Sequence, residues 1–204
     1  MRADLEAQDE PDEALVRRAL AGDGSAFEAL VTRHQERVYR LLCRLLRDAS
    51  DAQDTLQETF LQVYRKLSSF RGESKFSTWL YRVATNTALG SLRQRSRHPT
   101  ESLETYLPRY DEQGRHERLD IDHSIAARAD ELLDRRRLTE HALAALERLP
   151  EAYRAVFVLR DLEELTTAEA AEVLGVNPTL LRQRLHRARL MLRGYLAHLV
   201  GGES

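Results

Sequence analysis

Apolar positions recur at helical spacing along most of this chain, and the gaps between the runs carry turn residues. From near Asp12, Ala14, Leu15 and Leu20 give a first helix its apolar side, and Gly22-Asp23-Gly24 breaks it. Ser25 and Glu28 read as a capping box for the next helix, whose stripe is Phe27, Leu30, Val31, Val38, Leu41, Leu42, Leu45 and Leu46. Arg47-Asp48-Ala49-Ser50 interrupts it, and Ser50 with Gln53 caps a third helix. There Leu56, Phe60, Val63 and Leu67 share one face, and Asp54, Glu58, Leu61 and Arg65 share the other. Residues 68–76 read as a loop with two phenylalanines and basic residues. Ser77 then caps a helix running to about Arg95, with Leu80, Val83, Ala84, Thr87 and Ala88 inward. Arg82, Asn86 and Arg93 line the opposite side, with Trp79 at its edge.

From His98 to about Asp122 the periodicity fades, with Pro99, Pro108 and Gly114 along the way, as in a linker. A helix is expected from about Ser124 through Leu132, Leu143 and Leu146 to Pro150. Another follows from Glu151 to Asp161 with Tyr153, Val156 and Phe157 inward. Residues 165–193 then organise the C-terminal part as two helices joined by a tight turn. Thr166 and Glu169 form a capping box, Gly175 takes the left-handed turn position, Asn177 caps the second helix and Pro178 opens it. In that second helix Leu181, Leu185, Ala188 and Leu192 fall on one stripe, with Arg182, Gln183, His186 and Arg187 mostly on the other side.

Scarce glycine and proline and the lack of alternating β-branched runs set the fold class as all-α. Two small helical domains joined by a linker are expected, the C-terminal one a helix-turn-helix. No apolar run reaches the ~18 residues of a membrane span. The acidic, polar start MRADLEAQDEPDE is not a secretory signal and reads as a disordered tail over residues 1–11. Cys43, alone, reads as a small buried apolar residue.

The net charge of −2 conceals an asymmetry. Residues 1–14 carry six acids and one arginine; residues 71–97 carry six basic residues against Glu73. From Asn177 to Leu196 there are five arginines and no acid. Two basic segments far apart in sequence suggest two contacts with a polyanion. A basic helix face behind a capped turn suits a major groove, the alternative being a solvated bundle helix. Phe76 and Trp79 among Arg71, Lys75 and Arg82 suit bases stacked outside a duplex, although each ring alone reads as core. Asp54 and Glu58 around Leu61 read either as a solvated surface or as a docking patch for a basic protein. No nucleophile–base pair, phosphate-cradling loop or metal cluster is legible, so no enzyme, cofactor or metal site is expected. His98, His116 and His123 lack metal-site spacing.

The runs DAQDTLQETFLQVYRKLSSFRG, KFSTWLYRVATNTALGSLRQR, LERLPEAYRAVFVLRDLEELTTAEAAEVLG and RQRLHRARLMLR resemble, in order and spacing, bacterial RNA polymerase sigma factors of the extracytoplasmic-function group. The resemblance implies a region 2-like domain over 12–96, a linker over 97–123 and a region 4-like helix-turn-helix domain over 124–200. It implies a non-enzymatic, cytoplasmic specificity subunit whose partners are core polymerase, promoter DNA and an anti-sigma factor. On core polymerase the contacts implied are the β′ clamp coiled coil and the β subunit. By position it makes Asp54, Gln57, Glu58 and Phe60 the core-binding residues, favouring the docking reading of the acidic face. Arg71, Lys75, Phe76, Trp79, Arg82, Asn86 and Arg93 become the −10 recognition and melting residues. Thr179, Arg182, Gln183, Arg184, His186 and Arg187 become the −35 residues. Many relatives carry a Gly-Thr-Val-Lys-Ser-Arg-like run where this chain has Thr179-Leu180-Leu181-Arg182-Gln183-Arg184, so a −35 preference unlike the commonest one is expected. The competing reading is a stand-alone helix-turn-helix regulator; a further one is a protein that sequesters polymerase without reading DNA.

Overall fold

The structure is a computed structural model that describes residues 10–95 and 141–201. The expectations for the tail, the linker, the start of the helix at Ser124 and the three histidines between 98 and 123 fall outside the described residues. Every described element is helical. Helix α1 spans Asp12–Leu20, α2 Gly24–Leu46, α3 Ala49–Lys66 with a 3₁₀ turn Leu67–Ser69, and α4 Phe76–Arg95. In the C-terminal part, α5 covers residues 141–148, α6 Glu151–Phe157, α7 Thr167–Leu174 and α8 Pro178–Gly201.

Helices α1–α4 pack around Leu15, Leu30, Val38, Leu41, Leu42, Leu45 and Leu80, all essentially inaccessible to solvent. Asp12 ties α1 to α2, its carboxylate 2.6 Å from Arg33 Nη1 and 2.8 Å from His34 Nε2. The caps differ from expectation in a consistent way. Asp23, not Ser25, caps α2, accepting from the Ser25 and Ala26 amides. Asp48, not Ser50, caps α3, accepting from the Ser50 and Asp51 amides. In both Asp-X-Ser runs the carboxylate is the better acceptor and reaches the two free amides first. Likewise α4 starts at Phe76, so Ser77 is helical and the Lys75 carbonyl accepts from the Thr78 and Trp79 amides.

The buried side of α3 is also rotated from the expected stripe. Ala52, Thr55, Thr59 and Val63 are buried, while Leu56 and Phe60 flank the core half-buried. Thr59 is tolerated there because its hydroxyl donates back to the Thr55 carbonyl at 2.7 Å. Leu61 does point outward, 51% exposed. Cys43 is half-buried against the core.

In the C-terminal part, α6 does not continue to Asp161 as a regular helix. It widens into a π turn, Val158–Leu162, closed by the Glu163 amide on the Val158 carbonyl at 2.9 Å. Tyr153 and Val156 are buried as expected, and Phe157 is half-buried. The helix-turn-helix follows as read. Thr166 and Glu169 form the capping box, Gly175 sits at φ +63°, and Asn177 Oδ1 accepts from the Leu180 amide at 2.8 Å. Leu181, Leu185, Ala188 and Leu192 are buried.

Candidate nucleic-acid interface

The packed stripe of α8 fixes what its other side offers. With Leu181 and Leu185 seated on α6 and α7, Thr179, Arg182, Gln183, His186 and Arg187 are all exposed. Arg184 is turned partly inward. Arg189 is committed elsewhere, donating twice to Asp161 at 2.8 and 2.7 Å. One end of α8 therefore presents two arginines, an amide and an imidazole within two turns, a set that can read base edges in a major groove.

A second site lies where α4 begins. Ser69, Phe70, Arg71, Glu73, Ser74, Trp79, Arg82 and Glu172 line a cleft of about 220 Å³. Its aromatic wall is built by stacking: Phe70 lies 5.6 Å from Trp79 and 5.7 Å from Phe76, and Phe76 in turn lies 5.5 Å from His34. Such tilted and edge-on ring pairs add to the area they bury. Phe76 and Trp79 are both buried in this arrangement of the chain, 1% and 4% exposed. Phe76 belongs to the core and holds Trp79 at the cleft. Lys75 and Arg71 are exposed beside it; Asn86 and Arg93 are exposed further along α4.

Asp54, Gln57 and Glu58 are exposed on α3, next to the exposed Leu61 and Tyr64, while Phe60 is half-buried. Asp51, Asp54 and Glu58 form one wall of a groove whose other wall is Asn86, Thr87, Ser91 and Gln94 of α4. The structure thus sets the acidic face and the far end of the candidate −10 helix across a single groove. Among the described residues no group of three histidine, cysteine or carboxylate side chains could hold a metal, and no helix is long and apolar enough to cross a membrane.

Helix α4 is buried on more sides than its sequence pattern implies. Thr78, Trp79, Leu80, Tyr81, Val83, Ala84 and Thr85 are all buried, because α2 and α3 cover one side and α7 covers another. The contact between the two halves centres on Glu163, whose side chain is 5% exposed. It accepts from Arg44 Nη1 at 2.5 Å and from the Tyr81 hydroxyl at 2.9 Å, and Arg37 Nε lies at 3.5 Å. Burial, then the Glu163 charge, pushes the Tyr81 hydroxyl well above the usual tyrosine range. Nearby, Arg47 Nη2 reaches the Leu149 carbonyl at 3.4 Å. Sequence reasoning missed Glu163, Tyr81 and Arg44. Nothing local names the pairing, since Tyr81 and Arg44 lie 82 and 119 residues from Glu163 in sequence.

Two family models match the chain: sigma-70 region 2 over residues 30–98 and sigma-70 region 4 over residues 140–192. The RNA polymerase sigma-H factor of Pseudomonas aeruginosa is 38% identical over 180 residues, covering 88% of this chain and 91% of that protein. Another relative, the extracytoplasmic-function (ECF) RNA polymerase sigma-E factor of Haemophilus influenzae, is 36% identical over 195 residues, 93% of this chain and 97% of that one. The chain belongs to the extracytoplasmic-function sigma factors. The fold resembles solved CnrH, in complex with the cytosolic domain of CnrY, with a TM-score of 0.61 and 23% identity over 96% of this chain and 100% of that one. As a sigma factor it is a non-enzymatic subunit that binds core RNA polymerase and directs promoter-specific initiation, recognising −35 and −10 elements and promoting melting.

Proposed function

We propose that this sigma factor divides its contacts among three surfaces. The exposed Asp54, Gln57 and Glu58, with Leu61 and Tyr64 supplying the apolar centre, dock on the β′ clamp coiled coil, and Phe60 supports them from the edge of the core. Arg71, Lys75, Trp79 and Arg82 receive the separated strand at the −10 element; Asn86 and Arg93 follow the duplex upstream. Thr179, Arg182, Gln183, Arg184, His186 and Arg187 meet the −35 element. Arg182 suits guanine and Gln183 suits adenine, each through two hydrogen bonds, and the remaining cations hold phosphates. The domain limits that go with this division are 12–96 and 124–200.

The observation that carries the reading is the cleft at the head of α4. Arg71, Arg82, Glu73 and Glu172 line a space open to solvent together with Trp79, whose ring is 4% exposed and braced by Phe70 and Phe76. Stacking on such a ring is worth ~1–3 kcal/mol per base, comparable with the cost of unstacking it. An anti-sigma factor is a further partner. CnrH was solved with the cytosolic domain of CnrY, and the RpoE of Bartonella quintana, also similar in fold, with the anti-sigma factor NepR. A cytoplasmic location goes with polymerase binding.

The test separates the surfaces. With purified core polymerase, Asp54→Ala/Glu58→Ala abolishes co-elution with core and leaves weak binding of the free chain to duplex unchanged. Trp79→Ala retains co-elution and loses permanganate-reactive thymines near −10. A Trp79→Ala holoenzyme that opens promoters like the wild type contradicts the assignment of the cleft.

A further inference from the structure

Helix α1 supplies no residue to the three proposed surfaces, yet it is tied to the back of the cleft at the head of α4. Leu30, His34, Val38 and Leu41 follow one another down the buried side of α2, so an imidazole stands where the pattern calls for an apolar residue. Burying it without a partner would be costly. Asp12 is that partner: its carboxylate offers Oδ2 to His34 Nε2 at 2.8 Å and Oδ1 to Arg33 Nη1 at 2.6 Å. Burial alone would raise the Asp12 carboxyl, but hydrogen bonds from His34 and Arg33 hold it below the usual carboxylate range. An ionised carboxylate only accepts, so Nε2 carries a proton and the direction of the ring is fixed.

The imidazole is the far end of a run of four rings. Phe76 lies 5.5 Å from it. Phe76, Phe70 and Trp79 then form a triangle, with Phe70 5.7 Å from Phe76 and 5.6 Å from Trp79, and Phe76 5.9 Å from Trp79. Phe70 and Trp79 are among the residues lining the cleft; His34 and Phe76 are not. We propose that Asp12 and His34 are positioning residues for promoter melting: Asp12 aims the imidazole, the imidazole seats Phe76, and Phe76 with Phe70 sets the place of Trp79. This rests on the assignment of Trp79 to the −10 strand.

What the chain gains from this arrangement is orientation. A leucine at position 34 would fill the volume with no polar group to satisfy, but it has no directed bond to hold it. A ring that receives an unstacked base works best when it already stands in place, because freedom lost on binding weakens the capture. Asp12 suits the task, since it lies in the first turn of α1, where the helix dipole favours a carboxylate. Neither Asp12 nor His34 reaches the cleft, so both act on the strand only through the rings.

Trp79 is the chain's single tryptophan, so the intrinsic fluorescence of the intact chain reports its ring directly. Asp12→Ala should shift the emission to longer wavelength and raise acrylamide quenching, at unchanged helical circular dichroism. With core polymerase and pooled promoter fragments, the same variant should co-elute with core and show about tenfold less permanganate reactivity near −10, the order of one base stack lost. Asp12→Ala/His34→Phe places a ring against Phe76 that needs no partner, and should recover both signals. Leu46→Ala is the control for stability: it opens a cavity at the other end of α2, about 18 Å from His34 at 1.5 Å per residue, and should lower the urea midpoint without moving the emission. Unmoved emission in Asp12→Ala overturns the proposal. So does a double variant that fails to recover, because Asp12 would then act only by tying α1 to α2. An equal shift in Leu46→Ala overturns it too, since any loss of stability would then move the ring. Shifted emission with unchanged permanganate reactivity refutes the −10 assignment, and the proposal with it.

Discussion

Glu163→Ala is the perturbation that isolates the contact between the two domains. All three side chains that pair with Glu163 lie in the other domain, Arg37 and Arg44 on α2 and Tyr81 on α4. Removing one partner of a buried charge pair typically costs about 3–5 kcal/mol. Arg44 and Arg37 are 31% and 52% exposed, so part of that loss is screened, and the lower end, ~3 kcal/mol, is the appropriate figure. The chain has an escape that a core residue lacks. Opening rehydrates Arg44 and Tyr81, so the loss is felt in the closure and not in the folding of either domain. At about 1.4 kcal/mol per tenfold, the open population rises roughly 100-fold. Tyr81→Phe removes one hydrogen bond to a charged acceptor, ~1.5 kcal/mol at the low end, and shifts the same equilibrium about tenfold. X-ray scattering reads the change as a larger radius of gyration, ordered wild type, Tyr81→Phe, Glu163→Ala, at unchanged helical circular dichroism. Alkali offers an independent check. The closed chain holds the Tyr81 hydroxyl above its ordinary value, so closure keeps a proton that the open chain releases. The closed form therefore loses its advantage as pH rises past about 10. Loss of helical signal in Glu163→Ala with no expansion would refute the reasoning, because Glu163 would then be holding its own domain together.

Other residues give separate expectations. Glu164 sits at φ +57°, a left-handed conformation that costs a residue with a Cβ roughly 1–2 kcal/mol. Glu164→Gly relieves this against a smaller gain in unfolded-chain freedom, so the urea midpoint should rise by the equivalent of about 0.5–1 kcal/mol. Asp23, held at a pKa of about 2 by hydrogen bonds from Ser25 and Arg18, stabilises the fold above its unfolded value of 3.8 and loses that contribution as pH falls towards 2. Asp23→Asn keeps the cap and removes this acid sensitivity, which thermal melts across that pH range will register. Leu181→Ala empties a site with no solvent exposure and should cost about 2–5 kcal/mol, abolishing −35 binding in a mobility-shift assay while core binding persists.

Local signals were read correctly where the chemistry is local. Thr166, Gly175, Asn177 and Pro178 each carry their own reason for their position, and the turn formed around them as read. The stripe on α8 predicted which arginines stay exposed. Reading failed where two local candidates competed, as at Asp23 over Ser25 and Asp48 over Ser50, and where a polar residue satisfied itself, as Thr59 does. The deeper failure concerned α4. A helix read alone has one buried face and one free face, but Tyr81 and Trp79 are buried together because the second domain supplies another surface. Phe76 and Trp79 are ambiguous in sequence for a related reason, since aromatic rings in a basic loop serve equally as a binding surface and as the support behind one. The Glu163 contact spans over eighty residues and leaves no periodicity to detect.

The assignment proposed for this sigma factor is promoter selection through α8 and the α4 cleft, on a core polymerase held by α3. Its most direct test is in-vitro transcription with core polymerase on pooled promoter fragments, comparing the wild type with Arg182→Ala/Gln183→Ala and sequencing the 5′ ends. The wild type should produce new start sites that share sequences near −35 and −10. The variant should lose the starts that depend on the −35 sequence while still binding core. An identical set of start sites from both proteins would contradict the claim.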